Sequence, residues 1–201
     1  PLDMVDTCLC MGAGITMAQG FNHVDKDAVS FAFVGDSTFF ASGMTGVVNA
    51  VYNEADMILC VLDNSTTAMT GHQPHPGTGR TMMGNVVDKV SIEKILEGIG
   101  VKKIITANPL KLDEAVAAVK ECAEISGVKA IIFKSPCIAI TKPIGKMGVS
   151  DKCIGCKKCI KEIGCPALVA NGKNVFIDKG LCTGCGLCTY ICPVDAIGGD
   201  C

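Results

Sequence analysis

Tryptophan is missing from this sequence, and 201 residues hold only two tyrosines and seven phenylalanines. The core must therefore be filled by aliphatic side chains and methionine. No apolar run reaches the roughly 18 residues of a membrane-spanning helix. The opening, Pro1-Leu2-Asp3-Met4, lacks the basic start and apolar stretch of a secretory signal. It also lacks an initiating methionine, so we expect a piece of a larger polypeptide. Neither sign of charge dominates, with 18 Lys and Arg against 20 Asp and Glu, so neither a nucleic-acid nor a membrane partner is expected. An apolar content of 49% argues against disorder.

What the chain has in excess is cysteine, 14 in all. With no export signal and eight of them at metal-ligand spacing, a reducing, cytoplasmic setting fits better than a disulfide framework. The sequence divides near residue 145. Residues 1–145 alternate apolar runs with helical patterns, and residues 146–201 are dominated by cysteine, glycine and lysine.

The first part reads as α/β. Val29–Val34, Met57–Leu62, Val101–Thr106 and Lys129–Lys134 have the near-continuous apolar character of buried strands. Thr38–Asn53 and Leu110–Ile125 have helical spacing, and Cys8–Phe21 reads as a loop leading into a helix. The alternation predicts a parallel sheet with right-handed crossovers. The stretch from Ser65 to Val87, rich in Gly and Pro, is irregular. Open α/β sheets place ligands in such segments, beyond the C-terminal ends of strands.

The second part contains Cys153-x2-Cys156-x2-Cys159-x5-Cys165-Pro166 and Cys182-x2-Cys185-x2-Cys188-x3-Cys192-Pro193. Three closely spaced thiolates wrap one face of an iron–sulfur cubane, and the fourth iron is reached by the cysteine of the other run. This predicts one [4Fe–4S] cluster on Cys153, Cys156, Cys159 and Cys192, and another on Cys182, Cys185, Cys188 and Cys165. Zinc ribbons also use CxxC pairs, but two triplets each followed by Cys-Pro favour a small α+β, bacterial-type 2[4Fe–4S] ferredoxin domain. Asn171–Ile177 is expected to form a hairpin between the cluster loops. Cys60 and Cys122 read as core thiols, while Cys137 and Cys201 have no evident partner.

Gly35-Asp36-Ser37 closes the first strand, and Asp63-Asn64 closes the second after the 25 residues 38 to 62. Asp36 and Asn64 should then stand side by side at one sheet edge. A carboxylate, an amide oxygen and a nearby carbonyl make a ligand set for Mg²⁺, which keeps substrate phosphates in its shell. Gly35 allows close approach of a diphosphate, and the helix start offers N–H groups to it.

At this spacing the two elements resemble the thiamine diphosphate (TPP) motif, in which GDG is followed at a similar distance by NN. Ser37 and Asp63 replace outer residues of that pattern. With Cys8-Leu9-Cys10-Met11-Gly12-Ala13-Gly14, GDSTFFASGMTGVVNAVYN and DNSTTAMTGHQPHPGTG, nearly the whole chain is similar to the large (alpha) subunit of the indolepyruvate branch of 2-oxoacid:ferredoxin oxidoreductases. The resemblance implies a TPP-binding parallel-sheet domain followed by the ferredoxin domain. It implies Asp36 and Asn64 as Mg²⁺ ligands, with the Thr66 carbonyl completing the set. Gly35, Ser37, Thr70 and Gly71 would border the diphosphate, and Cys10, Met11 and Gly12 the thiazolium. His72 is a candidate for substrate contact or proton transfer, whereas His75 and His23 read as structural. The implied reaction is oxidative decarboxylation of an aryl pyruvate with CoA, giving aryl-acetyl-CoA and CO2, with electrons leaving through the clusters to ferredoxin. The electron-transfer subunit of another 2-oxoacid:ferredoxin oxidoreductase is the alternative. Expected partners are a pyrimidine-binding domain or subunit, which supplies the activating Glu not found here, and a smaller beta subunit. The isolated chain is expected to be inactive.

Overall fold

The computed structural model describes residues 4–142 and 145–199. It comprises two compact units, one formed by Thr7–Pro109 with Asp113–Cys137, the other built mainly from Ile138 onward.

The first unit is a four-stranded sheet of order β1-β2-β4-β3, all parallel. Its strands are β1 (Phe31–Gly35), β2 (Met57–Asp63), β3 (Lys103–Ala107) and β4 (Val128–Lys134). The central pair, β2 and β4, is apolar almost throughout because both faces are covered. Leu59, Val61, Ala130 and Ile132 point to one face, where they meet α1 (Ala13–Val24), α3 (Met44–Tyr52) and α4 (Ile92–Ile99) through Ile15, Val47 and Leu96. Ile58, Cys60 and Ile131 point to the other, against Ala118 and Cys122 of α5 (Leu112–Ala123). Burial pushes the Cys60 thiol up to about 12, as expected of a core thiol.

The four expected strands are present, with ends shifted by a residue or two. The single helix expected over 38–53 is three pieces: α2 (Asp36–Thr38), a π-helical turn at Phe39–Gly43, and α3. α4 is not among the helices expected from the sequence. Its register Ile92, Ile95, Leu96, Ile99 is helical, and Ser91 caps it by accepting the Lys94 N–H at 3.2 Å.

One buried charge interrupts the second core face. Lys129, 2% exposed, pairs with Asp56, whose carboxylate is about half exposed. Removing the acid strands a buried ammonium, whereas replacing the lysine removes the charge itself. Asp56→Ala is expected to destabilise this unit by about 2 kcal/mol, less than a fully buried pair because water reaches the acid. Lys129→Met is expected to be nearly neutral. Urea unfolding of both variants checks this, and equal losses would contradict it.

The second unit holds two antiparallel ribbons, β5 (Met147–Val149) with β8 (Ile197–Gly199), and β6 (Leu168–Asn171) with β7 (Asn174–Ile177). The second ribbon is the expected hairpin. Two short helices, α6 (Lys158–Ile163) and α7 (Leu187–Ile191), carry Cys159 and Cys188. Leu168, Val175, Ile177 and Ile197 share one core with Cys159, Cys182 and Cys188.

Candidate cofactor sites

In the first unit, β1 and β2 run parallel with Gly35 opposite Leu62. That register brings Asp36 beside the Asp63–Asn64 turn. Asp36 is 2% exposed, and its carboxylate staples the two strand ends together. Oδ1 accepts the Ser37 N–H at 2.7 Å, and Oδ2 accepts the Ser65 N–H at 2.8 Å. Ser65, in the left-handed region at φ 61°, also donates its N–H to Asp63 Oδ1 at 3.0 Å. Thr67 Oγ1 donates to Ser37 Oγ at 2.9 Å, a second stitch between the loops. Asn64 Oδ1 accepts the Thr66 N–H at 3.1 Å, so the amide oxygen and buried Thr66 belong to one turn.

Burial pushes the Asp36 carboxyl above its ordinary range. The Ser37 N–H and then His75 pull it back, Asp63 adds to the rise, and the Ser65 N–H lowers it. A carboxylate buried at this cost, next to an amide oxygen and a turn carbonyl, fits a hard divalent cation. The residues present therefore suit a Mg²⁺–diphosphate group.

The remaining predicted residues fall into two sets. Cys10, Met11 and Gly12 are brought to the start of the helix after β1. Gly12 has φ 89°, and a Cβ there would stand 2.6 Å from Ser42 Oγ. Thr38 Oγ1 reaches Met11 Sδ at 3.9 Å. Thr70 and Gly71 lie further out, in an exposed turn closed by Thr70 Oγ1 donating to Gln73 Oε1 at 2.7 Å. His72 is also exposed, at φ 62°, and its N–H donates to the Thr67 carbonyl at 3.0 Å. The histidine at the Asp36 carboxylate is instead His75, expected from the sequence to be merely structural. Its Nε2 lies 3.2 Å from Asp36 Oδ2. No sequence signal separated the two histidines, since both sit in one irregular loop.

In the second unit, Cys153, Cys156, Cys159 and Cys192 line one cavity, together with Pro193. Burial first, then the neighbouring Cys156, Cys192 and Cys153, holds the Cys159 thiol above its usual value, opposed by the Ile160 N–H. Burial likewise pushes the Cys188 thiol up to about 11, with Cys185, Cys165 and Cys182 adding to it. Cys192 thus stands with the three cysteines of the first run, and Cys165 is a neighbour of Cys188 in the second, as crossed ligation requires. Backbone N–H groups point at sulfur, from Ala196 to Cys192 Sγ at 3.2 Å and from Met147 to Cys182 Sγ at 3.4 Å. Gly155 and Gly184 have positive φ, and a Cβ would meet the Lys173 carbonyl oxygen at 2.1 Å or that of Gly145 at 2.5 Å. Each loop passes too close to backbone for any side chain. Cys60 and Cys122 are buried as expected, the Cys137 N–H donates to the Asn64 carbonyl at 2.9 Å, and Cys201 lies outside the described residues. Among the described residues no helix is long and apolar enough to cross a membrane.

A buried aspartate at the ends of two parallel strands and two sets of neighbouring cysteines point to one class: a TPP-binding α/β domain followed by a ferredoxin-like domain with two cysteine motifs. The chain belongs to the thiamine pyrophosphate enzyme family, matching its C-terminal TPP binding domain over residues 2–133. Residues 150–171 and 175–198 each match a 4Fe-4S binding domain, which favours clusters over zinc. The chain is 41% identical to the indolepyruvate oxidoreductase subunit IorA of Archaeoglobus fulgidus, over 98% of this chain and 33% of that protein. It is 39% identical to the IorA of Methanothermobacter thermautotrophicus, over 98% of this chain and 32% of that one. The chain thus spans about a third of the length of the curated relatives it matches. A structure of 2-oxoglutarate:ferredoxin oxidoreductase from Magnetococcus marinus, solved with 2-oxoglutarate, coenzyme A and succinyl-CoA bound, is 19% identical. It superposes with a TM-score of 0.58 over 65% of this chain and 47% of that one, a likeness of fold.

Proposed function

We propose that this chain forms the diphosphate-binding and electron-exit part of an indolepyruvate-type 2-oxoacid:ferredoxin oxidoreductase. The observation that carries the reading is the presence, in one chain, of a buried carboxylate at a parallel-strand crevice and two cysteine quartets. One-electron carriers serve no purpose in simple decarboxylation, whereas oxidative decarboxylation releases two electrons that must leave singly. The cofactor, when bound, supplies the carbon–carbon cleavage chemistry. In this reading Asp36, Asn64 and the Thr66 carbonyl hold Mg²⁺. Gly35 and Ser37 border the diphosphate, as do Thr70 and Gly71, while the Cys10–Gly12 loop flanks the reacting ring. His72, at the exposed rim, is available to an incoming 2-oxoacid. The eight cysteines hold the clusters that pass electrons to a ferredoxin in the cytoplasm. A pyrimidine-binding segment and a smaller beta subunit complete the enzyme.

The assembled enzyme, purified without oxygen, is expected to reduce ferredoxin only when given an aryl pyruvate, TPP, Mg²⁺ and CoA together. Release of CO2 and free aldehyde with ferredoxin left oxidised would overturn the proposal.

A further inference from the structure

His75 opens a short 3₁₀ turn, Pro76–Thr78, and caps it with its own ring: Nδ1 accepts the Gly77 N–H at 3.2 Å. A nitrogen that accepts a hydrogen bond carries no proton, so the proton of the neutral ring sits on Nε2. Phe40 lies against the imidazole, with ring centroids 5.6 Å apart at 32°, and Phe39 meets Phe40 edge-on. The ring is therefore held in one plane by the cap on one side and an aromatic wall on another. Nε2 lies 3.2 Å from Asp36 Oδ2, with 4% and 3% of the two side chains exposed.

The contact is close, yet Nε2 has no hydrogen-bond partner. The distance is within reach, and the alignment is not. A buried N–H left unmade costs about 1–3 kcal/mol, and here it lies beside a carboxylate that burial already destabilises. The imidazole thus holds an unused donor within hydrogen-bond distance of Asp36 Oδ2. Oxygen ligands of metals are themselves commonly held by outer hydrogen bonds, which set their orientation and basicity.

We propose that His75 is the positioning residue for Asp36: its Nε2–H grips Oδ2 and fixes the carboxylate in the orientation that holds the cation–diphosphate group. The loop then has a division of labour. His72 is presented outward, and His75 reaches under it to the strand end. The phenylalanine pair after Asp36 gains a role too, as the wall that keeps the imidazole on target. The inference rests on the reading of Asp36 as a cation ligand.

Two substitutions separate the two ring nitrogens. His75→Asn keeps a short acceptor for the Gly77 N–H but cannot reach Asp36. His75→Gln places an amide N–H where Nε2 was. The assembled enzyme, carrying each variant, is titrated with Mn²⁺ in the presence of TPP, and free Mn²⁺ is read by electron paramagnetic resonance. Thermal melting of the apo proteins is recorded alongside. We expect H75N to melt like the wild type and to bind Mn²⁺–TPP about 10–100-fold more weakly, and H75Q to recover most of that loss. Wild-type affinity in H75N, or equal losses in both variants, would overturn the positioning role. Should H75N fail to fold, H75Q alone decides: it must bind within a few-fold of the wild type. A wild-type assembled enzyme that binds no Mn²⁺–TPP would sink the cofactor reading itself, a result distinct from either.

Discussion

Asp36→Asn is expected to abolish cation-dependent TPP binding while leaving the apo fold at least as stable as the wild type. The two halves of this outcome have one cause. Asp36 is buried, and desolvation is the largest influence on it, raising its carboxyl above the ordinary value of 3.8. A raised carboxyl contributes stability that is fully present below the unfolded value and is lost as pH rises through the folded one. The apo fold therefore disfavours the ionised carboxylate, and the neutral asparagine carries no such charge. The amide retains one oxygen to accept the Ser37 N–H (2.7 Å) or the Ser65 N–H (2.8 Å), but its NH2 cannot accept the other. That missing acceptor sets a limit on the gain, so a melting temperature equal to or modestly above the wild type is expected. Cation affinity has no such compensation. A hard divalent ion needs anionic oxygen, and the loss should exceed the 10–100-fold typical of outer-shell partners. Calorimetric titration with Mg²⁺ and TPP, alongside thermal melting, measures both halves. A variant that binds normally would remove Asp36 from the site, and one that simply unfolds would make it a structural residue.

Much of this was readable in the sequence. The strands β2 and β4 announce themselves as apolar runs because both sheet faces are covered. The Gly35-Asp36 and Asp63-Asn64 turns were legible for a related reason: parallel strands of equal apolar length end at one edge, so polar residues just past their ends become neighbours. What the sequence hid depends on three-dimensional register. Val101–Thr106 and Lys129–Lys134 read as consecutive strands, yet the later one lies inside, next to β2. Lys129 belongs to that inner strand and reads as a solvent-facing terminus until its pairing with Asp56 is seen. The π-helical turn at Phe39–Gly43 leaves no compositional trace, and it sets the Phe39–Phe40 pair that walls in His75. The choice between His72 and His75 turned on backbone conformation, since a positive φ at His72 sends that ring outward while the Pro76 turn sends the next one in.

Cys192→Ser is expected to empty the cluster of the first cysteine run, although the substitution lies in the second. Cys192 shares its cavity with Cys153, Cys156 and Cys159, whereas Cys188 has Cys185, Cys182 and Cys165 as its neighbours. Additivity separates crossed from uncrossed ligation, because substitutions within one site overlap and those at independent sites sum. Combined with Cys153→Ser, Cys192→Ser should lose no more iron than either alone, about half the wild-type content for one of two clusters. Combined with Cys182→Ser, it should lose nearly all. The reverse pattern would mean that each run closes on itself. A single loss should also be felt beyond its own cluster. Cys159, Cys182 and Cys188 are buried in one core with Leu168, Val175, Ile177 and Ile197, so an emptied site leaves a void beside the surviving one. The remaining cluster should degrade faster in air than in the wild type, followed by the decay of its visible absorbance. Mn²⁺–TPP binding by the assembled enzyme should stay at the wild-type level, since the proposed ligands Asp36, Asn64 and Thr66 all belong to the other unit. Under the proposed function, an assembled enzyme that still binds its diphosphate cofactor but has lost one cluster should no longer reduce ferredoxin, which would put the interruption at the exit rather than at the chemistry.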